Sequence, residues 1–158
     1  MKAVVQRVTR AAVSVVEGDE EREVGRIGPG LTVLIGVAAG DTQVEARRLA
    51  EKIAGLRIFP DDEGKLNRDV HEAGGAILAI SQFTLLADAR KGRRPSFAGA
   101  APPEQGELLY EAVVRHLRQA GLLVRTGRFG AHMHVEILND GPVTIILDTA
   151  EWGHDRRA

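Results

Sequence analysis

The chain has no cysteine among its 158 residues. That absence excludes disulfides, thiolate zinc sites and a cysteine nucleophile, while leaving the redox compartment open. No apolar run approaches the ~18 residues a membrane-spanning helix needs, so no membrane association is expected. After Lys2, the polar residues Gln6, Arg7, Thr9 and Arg10 interrupt any secretory apolar core, and a cytoplasmic location is expected. There is no Gly-x-Ser-x-Gly elbow, no internal repeat and no heptad pattern. The length suits one domain with a substantial core.

Charge is balanced in total but not in distribution. The formal net charge is −1, yet Arg90, Lys91, Arg93 and Arg94 lie close together with only Asp88 nearby to oppose them. Such a basic segment permits nucleic-acid contact, although basic clusters are also common in plain solvated loops.

Periodicity predicts strands with two inserted helices. Residues 13–16 and 23–27 flank a polar hairpin turn, and residues 31–37 form a nearly continuous apolar strand. Thr42 and Glu45 have capping-box spacing, ahead of Ala46, Leu49, Ala50, Ile53 and Leu56 on one helical face. Residues 76–86 are the longest strand candidate, with Ser81 and Phe83 on one face and Gln82 and Thr84 on the other. A Gly-, Pro- and Arg-rich loop follows, over 87–103. Pro103 then opens a second helix that closes at Gly121. Three further strands are expected at 122–126, 133–138 and 143–147. The pattern points to one α+β domain with a largely antiparallel, barrel-like sheet.

Three candidate sites compete. Ser81-Gln82-Phe83-Thr84 puts hydroxyls where a buried strand turns polar, but a serine or threonine nucleophile needs a base, and no histidine is near in sequence. His132, His134 and Glu136 alternate as metal ligands could, yet also as the wet face of a strand whose other side carries Met133, Val135 and Ile137. With no fourth ligand in view, neither a metal nor another cofactor is expected. The third candidate is Gly141-Pro142, within Asn139-Asp140-Gly141-Pro142-Val143-Thr144. Its locally simplest reading is a tight turn between two strands. A site made of its carbonyls would leave little side-chain signature.

Gln6-Arg7-Val8, Ser81-Gln82-Phe83-Thr84-Leu85, Arg94-Pro95-Ser96-Phe97 and Asn139-Asp140-Gly141-Pro142-Val143-Thr144 occur in one order and register, with Tyr110 and Thr126-Gly127-Arg128-Phe129 between them. In these motifs the chain resembles the D-aminoacyl-tRNA deacylase family over residues 1–148. The segment 149–158, with the single tryptophan Trp152, falls outside the pattern and is expected to be an unstructured tail. The resemblance implies hydrolysis of the ester of D-aminoacyl-tRNA, and of glycyl-tRNA mischarged on alanine tRNA, with L-aminoacyl-tRNA rejected. It implies a homodimer whose active sites are completed across the interface. Gly141 and Pro142, joined by a cis bond, would hold the substrate α-ammonium, braced by Arg7. The motif Ser81 to Thr84 would line the facing pocket, with Phe83 and Thr84 supplying backbone N–H groups and Gln82 and Thr84 in the wall. Apart from the resemblance, the charge of Arg90, Lys91, Arg93 and Arg94 leads to the expectation that they meet RNA phosphates near the 3′ acceptor end. The contrasting expectation is a non-catalytic RNA-binding module that recognises the aminoacylated 3′ end without cleaving it.

Overall fold

The computed structural model describes residues 1–153, and the rest of the expected tail, 154–158, lies outside the described residues. The first strand, β1 (Lys2–Glu17), runs far longer than the predicted 13–16 segment and turns at Gly18 into β2 (Glu20–Ile27). Next come β3 (Gly30–Gly36), α1 (Gln43–Gly55), and a small hairpin of β4 (Phe59–Pro60) and β5 (Leu66–Arg68). β6 (Ala76–Ser81), α2 (Pro103–Gln119), β7 (Val124–Thr126) and β8 (Met133–Asp148) complete the sheet.

One edge of β1 carries β8 along nearly its whole length; the other carries β3 on its first half and β2 on its second. All three pairings are antiparallel. β6 and β7 extend the sheet beyond β3 in parallel, so the sheet is mixed and not antiparallel throughout. A parallel neighbour requires a crossover, and the chain makes it through α1 between β3 and β6 and through α2 between β6 and β7. Alternation in β6 then serves two cores. Ile77 and Ala79 pack with the helices, whereas Leu78 and Ile80 join Val8, Ala11, Val13 and Ile27. The second cluster fills the inside of the curled sheet. Closure is nearly achieved where β2 passes β7: a Cβ on Gly25 would lie 2.9 Å from the Thr126 carbonyl oxygen. Only glycine allows that approach.

The helices form as their local residues require. Thr42 and Glu45 make the capping box of α1, with the Thr42 N–H and hydroxyl both donating to the Glu45 carboxylate at 2.7 Å. Pro103 opens α2, and Gly121 follows its C-cap with φ of +86°. Their buried faces, including Leu49 and Ile53 on α1 and Leu109, Val113 and Leu117 on α2, cover one side of the sheet.

Three expectations need correction. The predicted strand 76–86 ends at Ser81, and Phe83–Leu86 instead form a 3-10 turn. Residues 139–142 are not a turn between two strands; β8 continues through them. The chain also remains packed past 148: Thr149–Glu151 form a 3-10 turn, Thr149 is buried, and the Trp152 ring lies beside Arg48 and Lys52 of α1.

Candidate active site

β3 and β6 stop pairing at Ile35 and Ser81. The last bond there runs from the Gln82 N–H to the Ile35 carbonyl, 2.7 Å, after which the chain coils tightly, with Leu85 donating to Gln82 and Ala87 to Thr84. The N–H groups of Phe83 and Thr84 stand at the start of this coil, where 3-10 pairing leaves them no intrahelical acceptor. The Gln82 side-chain amide donates to the Thr84 hydroxyl at 3.2 Å. Phe83 is 58 % exposed, and its ring meets Phe97 edge-on with centroids 5.2 Å apart.

This coil forms one wall of a cavity of about 500 Å³, and Ser81, Gln82, Phe83 and Thr84 all line it. Phe97, Ala100, Ala101, Pro103 and Gly106 of α2, Phe129, Ala131 and Met133 line the rest of it. The lining contains no Asp, Glu, His, Lys or Arg. Chemistry in it therefore draws on backbone N–H groups, two hydroxyls, one amide and whatever the substrate brings.

Gly141 and Pro142 do not line this cavity. They are exposed on β8, and their peptide bond is cis. Gln6 pairs with Thr144 and Val8 with Asn139, so residues 140–143 bulge opposite the single residue Arg7. Arg7 holds that bulge. Its Nε donates to the Asp140 carbonyl at 3.1 Å and its Nη1 to the Ile58 carbonyl at 2.8 Å. Gly141 has φ of +129°, and a Cβ on it would come within 2.9 Å of a Val143 methyl, so no other residue fits there.

The basic residues occupy a loop pinched shut by a two-way backbone bridge between Asp88 and Ser96, at 2.7 and 2.9 Å. Arg90 is spent on that loop: its guanidinium grips Asp88 through two bonds of 2.9 and 2.6 Å, which holds the Asp88 carboxyl far below the usual carboxylate range. Lys91, Arg93 and Arg94 are exposed and have no carboxylate partner among the described residues. His134 pairs with Glu21 at 3.2 Å, and no cluster suited to a metal occurs among the described residues.

A family model described as D-Tyr-tRNA(Tyr) deacylase matches residues 4–148. The chain belongs to this family. It is 59 % identical to the D-aminoacyl-tRNA deacylase of Symbiobacterium thermophilum over 149 residues, covering 94 % of this chain and 96 % of the relative. The corresponding protein of Roseiflexus sp. is 57 % identical, with 99 % and 98 % covered. Among solved structures, one titled c-Myc DNA Unwinding Element Binding Protein is 46 % identical, with a TM-score of 0.85 over 94 % of this chain and 98 % of its own. Another, titled as a probable eukaryotic D-amino acid tRNA deacylase, shares the fold, with a TM-score of 0.77 at 19 % identity over 92 % and 97 % of the two chains.

Within this deacylase-family chain, sequence reasoning missed the apolar walls. Phe97 and Phe129 end two of the motifs and Met133 falls on the apolar face of its strand, but nothing local marks these residues, Ala100 or Ala101 as the walls of one cavity. The available signal was the aromatic that ends each of Arg94-Pro95-Ser96-Phe97 and Thr126-Gly127-Arg128-Phe129. Tyr110 proves to be a support. Its buried hydroxyl donates to the Ala79 carbonyl at 2.8 Å, and that burial pushes the phenol well above its ordinary pKa.

Proposed function

We propose that the chain is a D-aminoacyl-tRNA deacylase, hydrolysing the ester between a D-amino acid and the terminal ribose of tRNA. The observation that carries the reading is the cavity beside the Phe83–Leu86 turn, which offers orphan N–H groups and no ionisable side chain. An aminoacyl ester is already activated by its α-ammonium and the vicinal 2′-hydroxyl. Water, helped by that hydroxyl, adds to the carbonyl carbon. The carbonyl oxygen becomes an oxyanion, and the N–H groups of Phe83 and Thr84 stabilise it. The C–O bond to ribose then breaks, and the ribose 3′-oxygen leaves with a proton. One well-placed oxyanion donor supplies a factor of about 10²–10³, and positioning adds more. The Thr84 hydroxyl is not the nucleophile, since no base lines the cavity to activate it.

Chirality is assigned to Gly141 and Pro142 of a second copy, whose carbonyls hold the α-ammonium in the facing cavity while Arg7 braces the bulge. A D-side chain then points outward, an L-side chain collides with backbone, and glycine passes, which extends activity to glycyl-tRNA mischarged on alanine tRNA. Support for a homodimer comes from β8. Among the described residues this long strand pairs with β1 alone, and it leaves Ile146 77 % and Leu138 45 % exposed. Lys91, Arg93 and Arg94 are assigned to phosphates near the 3′ acceptor end, in a cytoplasmic protein that uses no cofactor.

Turnover of matched D- and L-tyrosyl-tRNA by the purified protein tests the reading: hydrolysis of the D-ester alone is expected, and equal rates would refute it. A second reading, nucleic-acid binding without cleavage, draws on the solved relative whose title names DNA binding. Stoichiometric RNA binding with no turnover of either ester would establish it.

A further inference from the structure

Phe129 lines two cavities. One is the proposed ester site; the other, about 670 Å³, runs between α2 and residues 126–129. They meet end to end along α2: Pro103 and Gly106 border the first, and Glu107 begins the second. Beyond Glu107, the groove is lined by Glu111, Arg115 and Arg118, at the three- and four-residue spacing that keeps side chains on one helical face. From Glu107 to Arg118 that face covers about 17 Å of helix axis. Acids thus lie next to the cavity and bases farther out.

We infer that this groove guides the single-stranded 3′ acceptor strand of tRNA out of the cavity, a deepening that rests on the ester-hydrolysis reading. Any RNA whose terminal ester occupies the first cavity must leave across its rim, and the groove is continuous with that rim through Phe129. The charge order suits such a strand. Carboxylates beside the cavity would repel phosphates, but they accept from the amino group of cytosine, the base that precedes the terminal adenosine in the CCA end of tRNA. Arg115 and Arg118 lie where the backbone departs. Neither has a carboxylate partner among the described residues, although Glu111 is one turn from Arg115. Arg118 is held in place by a 2.9 Å bond from its Nη2 to the Val124 carbonyl, which leaves its charge unneutralised. Arg128, by contrast, is paired with Glu17 and takes no part. The Tyr110 hydroxyl is committed to Ala79, so apart from the paired Arg128 the charge of the groove comes from two acids and two bases.

The test is fluorescence-anisotropy binding of an uncharged RNA minihelix ending in single-stranded CCA, titrated across a salt series. Arg115→Ala should weaken binding and flatten the slope of log K against log[salt] by about 0.7, and Arg115→Lys should restore it. Glu111→Gln should keep the slope but reduce the preference for a CCA over a UUA end by roughly fivefold. Hydrolysis of D-tyrosyl-adenosine, which has no acceptor strand, should be unchanged in every variant; its failure in the wild type would count against the catalytic reading alone. The groove assignment is overturned by a slope that Arg115→Ala leaves unaltered, by no wild-type preference for CCA, or by an equal loss on the strandless ester.

Discussion

Gly36→Ala loads the proposed catalytic turn while substituting no residue that lines the cavity. Gly36 ends β3 directly beneath the coil that carries Phe83 and Thr84. A methyl there would lie 3.0 Å from the Gln82 carbonyl oxygen, 3.0 Å from the Leu85 Cβ and 2.5 Å from a Leu86 methyl, where ordinary contact begins near 3.4 Å. The Leu86 side chain can rotate away. The Gln82 and Leu85 contacts involve the main chain of the turn, which must retreat by about 0.4 Å. Catalytic groups tolerate roughly 0.5 Å of displacement, and a shift of 1 Å can cost about 10²-fold. We expect kcat on D-tyrosyl-tRNA to fall about tenfold, with KM little altered, because the wall with the donors moves while the apolar walls stay. Overpacking should cost about 1–3 kcal/mol, which for a chain of this size lowers Tm by roughly 2–12 °C. Single-turnover kinetics and a thermal melt measure both. A folded variant with wild-type kcat would refute the reasoning. Full recovery in the double variant Gly36→Ala, Leu86→Ala would also do so, since it would trace the whole effect to a side chain.

Thr84→Ala should keep activity within about tenfold, because the ester needs no protein nucleophile; a trapped acyl-enzyme on Thr84 or a loss beyond about 10⁴-fold in a folded protein would reverse that assignment. On the basic loop, replacing Lys91 and Arg94 by alanine should flatten the salt dependence of RNA binding by roughly 1.4 in log–log slope. Arg90→Ala alone should flatten it far less, since Asp88 already neutralises Arg90; equal effects would show that the pair opens on binding. The Thr42 hydroxyl, with help from the Thr42 N–H, lowers the pKa of Glu45 from 4.5. A depressed carboxyl contributes stability that is complete above pH 4.5 and fades as pH falls through the lower folded-state value. Urea midpoints at pH 7 and pH 3 should therefore differ less in Glu45→Gln than in the parent, and an unchanged difference would count against the capping box.

What could be read from the sequence was what neighbours decide. The Thr42–Glu45 box, the opening of α2 at Pro103 and its stop before Gly121 depend on contacts a few residues apart, and they form where the residues predict. The misses are all long-range. Asn139-Asp140-Gly141-Pro142 carries strong turn signals, yet the pairing of β8 with β1 on both sides absorbs these residues as a bulge. Phe83-Thr84-Leu85-Leu86 favours strand by composition, but β6 has lost its partner once β3 ends. No local pattern reports where another strand stops. The motif Ser81 to Thr84 was found as a string of letters, and its enclosure by Phe97, Phe129 and Met133 required chain segments far apart in sequence. Asp88 stood beside the basic cluster in plain view. Only the pinched loop turned it into the fixed partner of Arg90.

A wall of amides, rings and methyls has no proton of its own to gain or lose near neutrality. For a catalyst of the proposed kind, the acid limb of the pH–rate curve is therefore inherited from the hydroxide content of the solvent, and the alkaline limb from loss of the proton of the substrate's own ammonium. A neighbouring charge has no titrating group in the proposed wall to tune, as it has in a histidine-based hydrolase. Selection acting on the proposed site has shape to work with, in the methyl groups and ring positions at Ala100, Ala101, Phe97 and Met133.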